Sequence, residues 1–369
     1  MATPTIHTSV ASTTTSTATP SCTTAVPGKY GRVPATACNS YYNYDPSFEA
    51  AIAFSVLFAI ITVIQTVEAF SFRKGFCWVI IMGLSWETGS FITQALGSHH
   101  QQSSALALVS QLLILLAPLW INAYVYMTTG RMIWAFLPEK KIWKVKAMSI
   151  GKYFVWLDII SFLVQGMGGA MLSPGSSPKT AKIGMDIYMA GVGVQQFFIC
   201  LFITLIIRFH YEMLQLEKTS FAPTNKKWKW LTYALYATLA LITTRIIYRL
   251  LEFSRGVNPS TNPLPFHEGY MLALDATPMF LAGLILCIIH PGMVLVGPES
   301  DFPSRKEKKA IRKANKEAKK AKKAEKKLGQ ENTAYSPVYD HSSTNLVQDI
   351  EMQNRHEGEF YQETTYLRA

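Results

Sequence analysis

The side chains of this sequence that could do chemistry are ionisable and amide groups inside long apolar runs. Two acids each have a glutamine seven residues further on, Glu87 with Gln94 and Asp158 with Gln165. Because seven residues make two turns of an α-helix, both members of each pair lie on one helix face. Polar groups in apolar surroundings are costly unless they are paired. The spacing therefore predicts polar faces on two apolar helices.

A second polar set stands further along the chain. Arg245, Arg249 and Glu252 share one face of the sixth apolar run, and Asp275 lies in the seventh. The two runs point in opposite directions, so Asp275 falls at a depth similar to that of the arginines. This predicts a buried charge network with an ion pair between Asp275 and one of the arginines. Glu87, at mid-depth, is a further candidate member.

Seven apolar runs carry these groups, and each is close to the ~20 residues that a helix needs to cross a bilayer. They span about residues 47–70, 76–96, 105–127, 150–172, 183–207, 230–250 and 269–290. Helices are the only open-chain structures that span lipid. The sequence therefore predicts an all-α polytopic membrane protein whose seven transmembrane helices occupy residues 47–292. Pro118 is expected to kink the third helix.

The distribution of basic residues predicts how the helices are oriented. The segments after the first, third and fifth runs carry more Lys and Arg than the alternate segments do. By the positive-inside rule the basic set is cytoplasmic. The N-terminus is then outside and the C-terminus is in the cytoplasm.

The two ends of the chain differ in composition and in predicted structure. Residues 1–46 are predicted to be an extracellular, Ser/Thr-rich disordered tail, either an O-glycosylated stalk or a plain tail. Cys22 and Cys38 could form one disulfide there if the segment is extracellular. Residues 293–328 are predicted to form a juxtamembrane polybasic helix, and residues 329–369 a disordered cytoplasmic tail.

The polybasic segment carries much of the formal net charge of +11, and it reads RKEKKAIRKANKEAKKAKKAEKK from Arg305 to Lys327. It either rests against anionic inner-leaflet lipids or is a solvated charge run that only determines topology. Lipid is a nearer anion than nucleic acid, which is not an expected partner.

The polar groups inside the helices have two interpretations. They could satisfy one another and hold the helices together, or they could line a cavity that admits a lipid headgroup or an amine. In the second case Glu87, Asp158, Gln165 and Gln195 are the candidates for substrate binding or proton coupling. The sequence has no GxxxxGK[ST] motif, no GxSxG motif and no Cys/His metal cluster. We therefore expect no cofactor, no metal and no enzymatic activity.

Four stretches together resemble the fungal lipid-translocating exporter family, whose members have seven spans. They are LLILLAPLWINAYVYMTTGR from Leu112 to Arg131, DIISFLVQGMGG from Asp158 to Gly169, RIIYRLLE from Arg245 to Glu252, and the closing His267-Glu268, Asp275, Pro278-Met279 and His290-Pro291-Gly292. The resemblance covers about residues 30–292. The second span departs from the family pattern, because Phe91 and Gln94 stand where the family commonly has Tyr and Arg.

The resemblance implies a multi-pass plasma-membrane protein that moves sphingoid long-chain bases, or similar amphiphiles, across the membrane. It also implies a contribution to resistance against membrane-active toxic compounds. The alternative is a seven-helix sensor or receptor that regulates lipid asymmetry or a stress response, since the predicted topology is also that of receptors.

Overall fold

The structure is a computed structural model that describes residues 24–34, 37, 39–171, 177–219, 226–254, 262–297 and 302–303, and then 307, 309, 313, 316–318 and 320. Cys22, Cys38 and most of the polybasic segment lie outside the described residues. Two compact units are separated at residue 302. In the second unit, residues 307, 309, 313, 316–318 and 320 are helical.

Among the residues that the structure describes, seven helical spans build the first unit, and each is long and apolar enough to cross a membrane. The first six are α1 (Phe48–Ser71), α2 (Trp78–His99), α3 (Ser104–Phe136), α4 (Ala147–Ala170), α5 (Pro178–Thr219) and α6 (Lys227–Ser254). The seventh joins α7 (Glu268–Met271), a π-helical turn (Leu272–Ala276) and α8 (Thr277–Ile288). A short antiparallel pair, β1 (Lys141–Ile142) and β2 (Val145–Lys146), links α3 to α4. The prediction of an all-α seven-span protein is confirmed.

Local chemistry explains where two of the helices begin. The Ser47 hydroxyl accepts a hydrogen bond from the Ala50 amide at the start of α1, and the Ser103 hydroxyl accepts one from the Leu106 amide at the start of α3. Serine at this position satisfies an amide that has no partner inside the helix. Both caps lie just ahead of apolar runs.

Two helices continue well beyond their predicted C-terminal ends. α3 continues to Phe136 and α5 continues to Thr219, well beyond the expected ends near residues 127 and 207. The charged residues in these extensions do not break the helix, because Arg, Lys and Glu are good helix formers. Two of these side chains also have partners. Arg131 lies 3.9 Å from the centre of the Phe76 ring, and Arg208 pairs with Glu212 at 2.9 Å.

The spans pack as a closed ring. Each helix from α1 to α6 lies beside the next, α6 lies beside α8, and α8 returns to α1. α3 also touches α5 and α6, so it crosses the interior of the ring.

The contacts between neighbouring helices differ in the size of their side chains. Large side chains fill the α1–α2 side, where the Phe58 and Phe91 rings stack 5.7 Å apart. The α4–α5 contact is much closer, because a Cβ on Gly168 would lie only 2.5 Å from the Tyr188 amide nitrogen. Small residues let membrane helices approach in this way.

The described part of the N-terminal segment packs against the bundle. The Gln101 amide donates to the Tyr30 carbonyl at 3.0 Å, and the Gln101 side chain donates to Asp45 at 3.0 Å. Asp45 also pairs with Arg32 at 3.0 Å. This differs from the disordered tail predicted for residues 1–46, because polar groups at the ends of α2 and α3 provide partners that composition alone does not reveal. We call this end of the bundle the N-terminal face.

Candidate functional site

The charge cluster consists of Arg245, Arg249, Glu252 and Asp275. Arg245 Nε donates to Asp275 Oδ1, and Arg249 Nη2 donates to Asp275 Oδ2. Arg249 Nη1 also donates to Glu252 Oε2 at 3.0 Å. The Asp275 side chain is only 1% exposed. The ion pair expected between Asp275 and one arginine is present, and both arginines take part.

Two backbone irregularities position this cluster. Pro118 has no N–H to offer the Ile114 carbonyl one turn earlier in α3. Arg245 Nη2 donates to that carbonyl at 2.9 Å instead. In the seventh span Asp275 lies inside the π-helical turn, whose Leu272 carbonyl accepts from the Thr277 hydroxyl at 2.8 Å. π-Turns inside helices are frequent at functional sites.

A second acid, Glu268, organises the N-terminal face. Its Oε1 accepts from Gln94 Nε2 at 3.0 Å, and its Oε2 accepts from the Ser47 amide at 2.8 Å. Gln94 therefore bonds to the start of the seventh span and not to Glu87. The sequence signal for Glu268 was its place beside His267 in the closing motif.

Glu87 is fully buried on α2, and neither of its carboxylate oxygens has a hydrogen-bond partner among the described residues. It was a candidate member of the charge network. The structure gives it no hydrogen bond to that cluster, in which Arg249 bonds to Asp275 and Glu252.

We define the Asp158 site as Asp158, Asn122 and Tyr126. Asn122 Nδ2 and Tyr126 OH both donate to Asp158 Oδ2, at 3.1 and 2.9 Å. Among the described residues, Asp158 Oδ1 and Asn122 Oδ1 have no hydrogen-bond partner. Sequence reasoning identified Asp158 but missed Tyr126, because only packing shows which face of α3 meets α4.

Gln165 and Gln195 bond to each other. Gln165 Nε2 donates to Gln195 Oε1 at 2.9 Å, which joins α4 to α5. The two glutamines line a small cavity of about 20 Å³ together with Pro118, Tyr188, Arg245 and Arg249. This is room for one water molecule.

The N-terminal cavity is a larger space of about 730 Å³ between residues 40–44, α3, α6 and the start of the seventh span. Its lining combines polar groups with apolar side chains, including Tyr44, Gln94, Ser110, Gln111, Arg249 and Glu252 on one hand and Leu108, Ile114, Phe253 and Met271 on the other. The lining includes neither Glu87 nor Asp158. Burial, and then the nearby Glu268, raise the pKa of the Tyr44 phenol, so its hydroxyl stays neutral.

In the part of the chain that the structure describes, no group of three or more His, Cys, Asp and Glu side chains could hold a metal ion.

A seven-helix ring with a buried charge cluster defines a polytopic membrane protein. Residues 80–297 match the family described as "RTA1 like protein", and the chain belongs to this family. The resemblance to the fungal lipid-translocating exporters is thereby confirmed.

Three curated fungal proteins illustrate the similarity. The chain is 42% identical over 301 residues to the "Probable lipid transporter atnI" of Emericella nidulans, which covers 79% of this chain and 78% of that protein. It is 24% identical over 307 residues to the "Sphingoid long-chain base transporter RSB1" of Saccharomyces cerevisiae, covering 72% and 77%. It is 29% identical over 275 residues to the "Protoporphyrin uptake protein 1" of Saccharomyces cerevisiae, covering 65% and 88%. No solved structure matches the chain significantly.

Proposed function

We propose that this protein transports amphiphilic lipids of the sphingoid long-chain-base type across the membrane. Two relatives bear the names of lipid transporters, and one of these names specifies a sphingoid long-chain base. The observation that carries the proposal is the N-terminal cavity. Its volume of about 730 Å³ lies in the range typical of small-molecule sites.

The lining of this cavity suits a molecule with a polar head and an apolar tail. Gln94 and Ser110 can bond to the hydroxyls of a headgroup, while Leu108 and Met271 provide apolar contacts. Leu108 is 61% exposed on the outside of α3. A tail could therefore enter sideways from the bilayer while the headgroup remains among polar side chains.

The charges favour a cationic headgroup. Within the charge cluster, two arginines face two acids, and these formal charges cancel. Glu268 adds a further carboxylate next to the cavity, bonded to the cavity residue Gln94. Glu252 lines the cavity and shares its arginine with Asp275. The amine of a sphingoid-base headgroup would pair with the Glu252 carboxylate.

The wider proposal follows the family. We place the protein in the plasma membrane with residues 1–46 outside and residues 293–369 in the cytoplasm. The polybasic segment then contacts anionic inner-leaflet lipids, and transport contributes to resistance against membrane-active toxic compounds.

Reconstitution into liposomes tests the proposal. Transbilayer movement is measured for a labelled sphingoid base, its uncharged N-acetylated form and a labelled phospholipid. We expect the base to move faster than in empty liposomes and faster than the N-acetylated form. Glu252→Gln should slow it about tenfold or more, since a charge-assisted hydrogen bond contributes about 1.5–3 kcal/mol. Glu212→Gln, which changes an acid in a partly exposed pair with Arg208, is the matched control. Equal rates for the two variants would contradict the assignment of Glu252.

A second candidate function, a sensor or receptor, is favoured by one contact. Phe302, beyond the seventh span, lies against the end of α3, with Arg131 4.9 Å from its ring centre and Trp134 edge-on at 5.8 Å. Such a contact could carry a helix movement to the following segment. If folded protein moves none of the three lipids and deletion of residues 303–369 abolishes tolerance of toxic amphiphiles, the sensor replaces the transporter.

A further inference from the structure

Asp158 has an incomplete set of partners for a buried acid. Both of its hydrogen bonds reach Oδ2, and both come from neutral side chains, Asn122 and Tyr126. Its Oδ1 has no hydrogen-bond partner among the described residues, although Asp158 is only 2% exposed. Asp275, by contrast, has an arginine on each oxygen.

The groups that face Asp158 are nearly all uncharged. α3 presents Asn122 and Tyr126, and Tyr126 is the titratable one. α5 presents Phe202, whose ring lies 4.4 Å from that of Tyr126, and α4 itself adds Phe154 beside the same ring. Arg245 of α6 bonds to Asp275 and lines the small cavity, whose lining does not include Asp158.

The small cavity lies on the side of Asp158 that faces the N-terminal cavity. Arg249 lines both cavities, so the two are neighbours. The small cavity is lined by Gln165 and Phe162, two turns and one turn from Asp158 on α4.

We propose that Asp158 is a proton-binding group that exchanges a proton with water at its Oδ1 atom. A hydronium ion gives one proton to Oδ1 and becomes a neutral water molecule, while the carboxylate changes from a charge of −1 to neutral. The Oδ2 atom keeps both of its hydrogen bonds as the carbonyl oxygen of the acid. A protonated acid avoids an unpaired charge in the bundle interior, which is costly there.

Other occupants fit less well. Mg²⁺ or Ca²⁺ takes six or more oxygen ligands, whereas the site offers two unpartnered acceptor oxygens. A lipid headgroup does not fit, because the neighbouring cavity measures about 20 Å³. This inference deepens the proposed function, since a proton that enters at Asp158 can drive lipid movement, but the proton site itself does not depend on transport.

Infrared difference spectroscopy tests the proton site directly. Spectra of the full-length protein in liposomes are compared between acidic and alkaline buffer, in H₂O and D₂O. We expect a carboxylic acid C=O band that appears at acidic pH, shifts in D₂O and is lost in Asp158→Asn. Asp186→Asn, the same change at an exposed acid of α5, is the matched control and should leave the band intact.

A second variant keeps the test decisive if Asp158→Asn does not fold. Tyr126→Phe retains the carboxyl group and removes one hydrogen bond from Oδ2, so the band should persist at higher frequency. A band that survives in folded Asp158→Asn, a band unchanged in Tyr126→Phe, or the lack of any such band would overturn the proposal.

Coupling to transport is measured separately on the same liposomes. A pH gradient should accelerate movement of the labelled base at least tenfold, and Asp158→Asn should lose this dependence. If the unaltered protein moves the labelled base at the same rate with and without the pH gradient, the proposed coupling is overturned. An Asp158-dependent band without any lipid movement would support the proton site and refute the proposed transport function.

Discussion

The Asp275 carboxylate binds two buried arginines, so the loss of its charge should lower the stability of the bundle more than the loss of a partly exposed acid. The change Asp275→Asn removes the carboxylate that binds both Arg245 and Arg249, whose side chains are 7% and 6% exposed. Arg249 would retain Glu252, but Arg245 would keep only the Ile114 carbonyl. Removing one partner of a buried ion pair costs about 3–5 kcal/mol, because a charge is left unpaired away from water.

This loss is large enough to measure as thermal stability. At about 2–4 °C per kcal/mol for chains of 150–250 residues, the melting temperature of the purified protein should fall by about 6–20 °C. Glu212→Gln, which breaks only a partly exposed pair with Arg208, should change the free energy of unfolding by less than about 1 kcal/mol.

A double variant separates charge imbalance from general damage. Asp275→Asn combined with Arg245→Gln removes the arginine that lost its only carboxylate, so it should recover part of the lost stability. The reasoning would be refuted if Asp275→Asn melted within 2 °C of Glu212→Gln, taking about 2 °C as the shift for 1 kcal/mol. It would also fail if the double variant were less stable than Asp275→Asn alone.

Two further predictions concern the α4–α5 contact, and both are checked by thermal unfolding. Gly168→Ala would press a Cβ against the α5 backbone and should cost about 1–3 kcal/mol, whereas Gly166→Ala, with open space around it, should be neutral or stabilising by up to about 1 kcal/mol. Equal melting temperatures for these two variants would contradict the close approach. Gln165→Leu should cost about 1–3 kcal/mol because it leaves the buried Gln195 carbonyl without its donor, while the double change Gln165→Leu with Gln195→Leu should be nearly neutral. A double variant as unstable as the single one would show that the bond is not the source of the cost.

The seven spans were predictable from the sequence because bilayer-length apolar runs leave the backbone only one way to satisfy its hydrogen bonds. The ion pair of Asp275 was predictable for a related reason. Antiparallel neighbouring spans match residues by depth, and an unpaired charge at that depth is costly. The sequence also predicts that the Ile114 carbonyl lacks its hydrogen-bond donor within the helix, since Pro118 has no N–H.

Tertiary structure decided which helix faces meet, and therefore which polar groups find partners. Gln94 shares a face with Glu87 in the sequence pattern, but the start of the seventh span brings Glu268 to it. Tyr126 reaches Asp158 only because α3 crosses the ring interior beside α4. The N-terminal cavity arises where residues 40–44, α3 and α6 leave space between them. Periodicity places a residue on one face of its own helix, whereas the partner of that face is determined by contacts between segments far apart in the chain.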